Sequence, residues 1–134
     1  HFPIQEIQYI QNMIKELLVV GLGAFFGSGL RYFINIKIGL LNLLFPWATF
    51  GINLTGSLLI GIIMALSFKD QNIWKLLLST GFCGGFTTFS SFSFESLSLL
   101  KSGNIVMVLS YIFLSVLGGL LFATIGYYLT NKFI

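Results

Sequence analysis

Gly81-Phe82-Cys83-Gly84-Gly85-Phe86-Thr87-Thr88-Phe89-Ser90-Ser91-Phe92-Ser93-Phe94-Glu95 is the stretch that decides how this chain folds. It holds three glycines, two threonines, three serines and five phenylalanines, with apolar, helix-competent sequence on both sides. Each glycine weakens a helix by roughly 1 kcal/mol relative to alanine. Their density predicts a helix that breaks near residues 84–88. A break inside a bilayer frees backbone carbonyls and amides, which is tolerated only where protein or a water-filled cavity satisfies them. Such breaks commonly mark ion or substrate sites. An ion-handling protein is therefore the first expectation.

The composition sets the class. Of 134 residues, 56% are hydrophobic and 8% charged, against about 25% charged in soluble domains. The chain reads as an all-α integral membrane protein. A crossing helix needs about 20 apolar residues, so the length allows four crossings and no extramembrane domain. The net charge of +3 is too small and too scattered for nucleic acid. Cys83 is the sole cysteine, which excludes an intrachain disulfide. One histidine and four acidic residues exclude a conventional histidine/carboxylate metal site. The first apolar segment is long and has no small-x-small cleavage pattern, so it reads as a retained span.

Outward from the central run, four spans are expected. Residues 1–12 are polar and aromatic and do not match the rest. They read as a non-native or upstream extension, Met13 being the natural start, or alternatively as a short interfacial amphipathic helix. A single four-helix domain then covers residues 13–134. Span one, 17–36, carries Gly21, Gly23, Gly27, Ser28 and Gly29, small residues that let helices approach closely. Arg31 has two readings, snorkelling to the interface or a structural or anion-attracting charge at a pore mouth. Pro46 suits the first turn of span two, 47–68, with Trp47 as an interfacial anchor. In that span Thr49, Asn53 and Ser57 share one face, with Gly56 beside them. Asn53 serves either an interhelical hydrogen bond or donation to a passing anion. After the loop Lys69-Asp70-Gln71-Asn72, span three starts at Trp74 and Lys75 and continues to about residue 100. Span four, 105–130, places Tyr111 and Ser115 one turn apart.

Orientation is weakly specified. One side carries four basic residues, Lys15, Lys69, Lys75 and Lys132, and the other carries three, Arg31, Lys37 and Lys101. The positive-inside rule needs a clear excess. Two copies in opposite orientations could pair about an axis in the membrane plane.

The residue types at the break favour an anion on one count and a cation on another. Hydroxyls and amide N–H groups donate hydrogen bonds, and phenyl ring edges carry partial positive charge. Phe89 and Phe92, three apart, share a helix face. Ordinary packing is the bland alternative for them. Freed carbonyls near 84–88 suit a cation instead, either structural or permeating.

The run from Gly81 to Phe92 resembles the signature of the Fluc fluoride channels, also called CrcB. Gly27-Ser28-Gly29-Leu30-Arg31-Tyr32 is similar to the family's first-helix motif. Pro46 through Ser57 is similar to its second-helix motif around a pore asparagine. The match extends from about Met13 to the carboxyl terminus. The resemblance implies a dual-topology antiparallel homodimer of four-helix subunits in the cell inner (plasma) membrane. It implies passive export of fluoride through two pores per dimer. It implies a central structural sodium ion held by the backbone carbonyls of Gly84 and Thr87 from each subunit. It places Asn53, Phe89, Phe92, Ser90 and Ser91 on the anion pathway, and Tyr111 and Ser115 on a polar track of the fourth helix. Glu95 is similar to a third-helix acidic position without an assigned role. Ala48 departs from a glycine common in the family just before Thr49.

Two other classes compete. A small proton-coupled multidrug transporter has similar length, but it needs an intramembrane carboxylate early in the first span, and residues 17–30 hold none. A structural subunit of a larger complex does not account for the ordered polar faces.

Overall fold

The computed structural model describes residues 3–66, 68 and 72–134, and all regular structure in it is helical. The expected loop residues Lys69, Asp70 and Gln71 lie outside the described residues, as do His1 and Phe2 of the amino-terminal extension.

Helix α1 runs Ile4–Gly39 without interruption. At 1.5 Å per residue its 36 residues measure about 54 Å, well beyond a 30 Å hydrocarbon core. Residues 4–12 are continuous with the first span in one helix. Beyond α1, Asn42 adopts a left-handed φ of 50°, a conformation asparagine tolerates better than most residues. Pro46 precedes α2, which runs Trp47–Ala65. The helix ends three residues before the expected 68. Leu66 turns extended, and Phe68 N–H donates to Leu66 O at 2.9 Å.

The third expected span is two pieces. The first, α3, covers residues 73–86 in three consecutive segments, Ile73–Leu76, Leu77–Cys83 and Gly84–Phe86. Asn72 Oδ1 caps it by accepting from Trp74 N–H at 2.8 Å. Its middle segment, Leu77–Cys83, is π-helical, a widened geometry frequent at functional sites. Thr87 and Thr88 are extended, with ψ of 157° and 115°. The second piece, α4, is Phe89–Lys101. The break thus falls at the two threonines, whereas Gly84 and Gly85 remain helical. The last helix, α5, runs Ile105–Phe133.

Among the described residues, three helices are long and apolar enough to cross a membrane individually: Ile4–Gly39, Trp47–Ala65 and Ile105–Phe133. Large apolar side chains such as Phe25, Leu18, Val106 and Leu120 are exposed along them. That surface fits a chain whose solvent is lipid, and the protein is a multi-pass membrane protein.

Glycines set the packing. A Cβ at Gly23 would overlap Leu77 O, and one at Gly27 would overlap Phe82 O, so α1 lies directly on the backbone of α3. Helices α2 and α5 meet in the same manner, Gly61 against Ala123 O and Gly126 against Leu58 O. Gly21 and Gly29, expected to share this role, face open space. Close backbone approach replaces the hydrophobic drive that is absent between helices in lipid. A small aromatic core sits at one end, with Leu99, Val108 and the fully buried Tyr111 packed against Phe45, Phe50, Phe92 and Met107.

Candidate functional site

The polar face of α2 lies along the broken helix. Thr49, Asn53 and Ser57 are successive turns of one face, about 6 Å apart along the axis. Thr49 reaches α4 and Asn53 reaches the break, whereas Ser57 lies beside Gly119 of α5 and lines the same cavity as Gly84 and Thr87.

Asn53 holds the break itself. Its Oδ1 accepts from Thr88 N–H at 2.8 Å, and its Nδ2 donates to Thr88 O at 3.0 Å. One amide therefore satisfies both backbone groups of the residue where the helix stops. In a continuous helix the Thr88 N–H would go to Gly84 O. The asparagine takes that donor away and leaves the Gly84 carbonyl free for another partner. One Nδ2 hydrogen remains beyond the pair used here.

Arg31 holds the break from the other side. Its Nε donates to Gly85 O at 3.0 Å. Of the two sequence readings, the contact made is structural, since the guanidinium neutralises a carbonyl that would otherwise pair with Phe89 N–H. Thr87 turns back on its own helix, with N–H and Oγ1 both donating to Cys83 O, at 3.0 and 2.8 Å. Thr88 Oγ1 caps α4 by accepting from Ser91 N–H at 3.1 Å and lies 3.2 Å from Ser90 Oγ. This cap, a Thr three residues before a backbone donor, was readable from the sequence and was missed.

Asn53, Ser57, Gly84, Thr87, Thr88 and Phe89 line a surface cavity of about 410 Å³. A Cβ on Gly84 would meet nothing within 4 Å. Two carbonyl donors beside open space form a hard oxygen set, which suits an alkali cation better than a transition metal. The positions expected to hold sodium therefore fit such a cation chemically.

The two phenylalanines are neighbours, with ring centroids 5.6 Å apart, but their surroundings differ. Phe89 is 79% exposed. Phe92 packs on Tyr111 at 5.0 Å. Beneath them lies a constellation that sequence spacing did not reveal. Glu95 Oε1 accepts from Thr49 Oγ1 at 2.6 Å, and Oε2 accepts from Tyr111 O–H at 2.9 Å. Three helices, α2, α4 and α5, meet at one carboxyl group. The signal available was that Glu95 is the sole acidic residue within the apolar stretches. Ser115 Oγ is buried and, among the described residues, has no hydrogen-bond partner.

Removing one partner of a buried hydrogen bond costs about 1–3 kcal/mol. Tyr111→Phe and Thr49→Val are each expected to lower the unfolding free energy by roughly that amount. The double variant, which leaves the carboxyl without either hydroxyl, is expected to lose more than the sum. Unfolding titrations with SDS in mixed micelles measure this, and an unchanged double variant refutes the bridging role of Glu95.

Comparison with known proteins agrees with these motifs. The family model described as "CrcB-like protein, Camphor Resistance (CrcB)" matches residues 18–127. A protein of Leptospira interrogans named "Fluoride-specific ion channel FluC" is 45% identical over 128 residues, covering 91% of this chain and 99% of the relative. Proteins of the same name from Azobacteroides pseudotrichonymphae and Phocaeicola vulgatus are 40% and 44% identical, covering 90% and 88% of this chain and all of each relative. The match runs through α1, both pieces of the broken helix and most of α5, so the chain belongs to the CrcB, or Fluc, family, a family of ion channels and not of enzymes.

Proposed function

We propose that this chain is a passive fluoride channel that works as an antiparallel homodimer in the inner (plasma) membrane. Residues 73–101 make a fourth crossing, interrupted at Thr87 and Thr88, and two pores run through the dimer. The observation that carries this reading is the bidentate hold of Asn53 on Thr88. It satisfies both backbone groups of Thr88 at the break, takes the Thr88 N–H from the Gly84 carbonyl and sets Asn53 on the same cavity as Phe89. The relatives named fluoride-specific ion channels support fluoride as the permeant.

In this reading Gly84 and Thr87 carbonyls from both subunits hold a structural sodium ion. When bound, that ion supplies a fixed positive charge between the pores. The chain's own residues do the rest. Asn53, Ser90, Ser91 and Ser115 donate hydrogen bonds that replace part of the anion's water. Phe89 and Phe92 offer positive ring edges along the way. Tyr111 works from behind, fixing Glu95 and backing the Phe92 ring. Donors without a fixed cationic side chain hold the ion weakly enough to release it, which conduction requires.

Efflux from liposomes, followed with a fluoride electrode, tests the proposal. Fluoride release without a proton gradient, and none in the same vesicles loaded with chloride, is the expected result. Absence of flux, or movement of a cationic drug driven by protons, overturns it.

A further inference from the structure

A second cavity, of about 530 Å³, lies between the amino-terminal part of α1 and the start of α3. Apart from Ser79, whose hydroxyl is tied to Lys75 O, no residue lines both this cavity and the one at the break. Two lysines contributed by different helices, Lys15 and Lys75, line it. Lys15 sits just before the apolar part of α1 begins at Leu17. Lys75 sits in the first turn of α3, beside Trp74, which is 62% exposed. Exposed tryptophan and lysine at the end of an apolar helix mark the headgroup layer of a bilayer.

The cavity wall is amphipathic. Tyr9 and Asn12, on the part of α1 that overshoots the hydrocarbon core, and Asn72 supply polar groups, and Met13, Ile73 and Leu76 supply apolar ones. Glu16 also lines it and leaves a net charge of about +1 from the two lysines. A pair of ammonium groups beside apolar side chains, at headgroup depth, matches a phosphodiester and the start of its acyl chains. Lysine binds phosphate as a mobile point charge, and such charges attract anionic lipid.

We propose that this cavity binds the phosphodiester of an anionic membrane glycerophospholipid, with Lys15 and Lys75 on the phosphate and Met13 and Leu76 against the start of the acyl chains. The headgroup fixes the amino-terminal part of α1 to α3 at the membrane surface.

Native mass spectrometry of the full chain released from micelles of phosphatidylcholine doped with phosphatidylglycerol tests this. The chain is expected to retain phosphatidylglycerol preferentially. Lys15→Ala with Lys75→Ala is expected to weaken retention about 25-fold, taking roughly fivefold for each lysine. Lys15→Arg with Lys75→Arg is expected to keep it. Lys37→Ala with Lys132→Ala removes the same charge elsewhere and is expected to leave retention unchanged. Equal retention in the first variant, or equal loss in the control pair, overturns the site. Displacement of the lipid by an equal concentration of inorganic phosphate assigns the cavity to a soluble phosphate and overturns the lipid assignment. The readout involves no fluoride, so it stands or falls separately from the channel reading.

Discussion

Asn53→Asp is expected to lower fluoride efflux about a thousandfold in the liposome assay. Two effects act together. The carboxylate accepts from Thr88 N–H as the amide does, but it donates nothing to Thr88 O, whose hydrogen bond of 3.0 Å is lost. That carbonyl then faces a negative oxygen inside the membrane. In addition, a fixed negative charge lies beside the proposed anion path. At about 4 Å and an effective dielectric of about 20, two unit charges repel by about 4 kcal/mol. On a barrier this is close to three orders of magnitude in rate. Sedimentation and circular dichroism of the variant separate a folded, non-conducting protein from an unfolded one. Normal efflux from folded Asn53→Asp removes this residue from the pathway.

Gly27→Val is expected to abolish folded protein. Overpacking a core commonly costs about 1–3 kcal/mol because side chains can shift. Here the obstacles are backbone atoms. A Cβ at Gly27 would overlap Phe82 O and stand 2.8 Å from Phe86 N. The helix must move away from α3, and Arg31, one turn further along α1, moves with it. The contact to Gly85 O is then lost as well. Yield of monodisperse protein after extraction measures the effect. Gly21→Val is the control, because a Cβ there meets nothing within 4 Å, and it is expected to extract like the parent. Equal recovery of the two variants refutes the role assigned to the α1–α3 contact.

Much of the fold was legible in the chain. The apolar runs gave α1, α2 and α5 to within a few residues at most ends, because burial in lipid depends on local composition. The break was legible to within four residues. Its location at Thr87 and Thr88, beyond the glycines, was not. Gly84 and Gly85 stay helical because α1 packs on that segment, with Gly85 against Ala24, and because Arg31 neutralises Gly85 O. The chain leaves the helix where Asn53 offers both of Thr88's backbone groups a better partner.

The site divides the same way. Residue types pointed to Asn53, Phe89 and Phe92, and the Gly81–Phe92 run carried the family likeness. Spacing along α2 put Thr49, Asn53 and Ser57 on one face. None of this says what that face touches. Asn53 and Thr88 are 35 residues apart, Thr49 and Glu95 46 apart, and Arg31 and Gly85 54 apart. Helical periodicity fixes neighbours within about four residues. Partners across helices depend on how each helix is rotated and how closely it approaches the next.

By itself the sequence determined a membrane-embedded helical chain with a break rich in hydroxyls, because transfer to lipid and glycine's helix cost are local quantities. The tertiary structure alone decided which groups satisfy that break, that Glu95 joins α2, α4 and α5, and which glycines form the contacts. Those outcomes rest on backbone-to-backbone approach between distant segments, which no local quantity encodes.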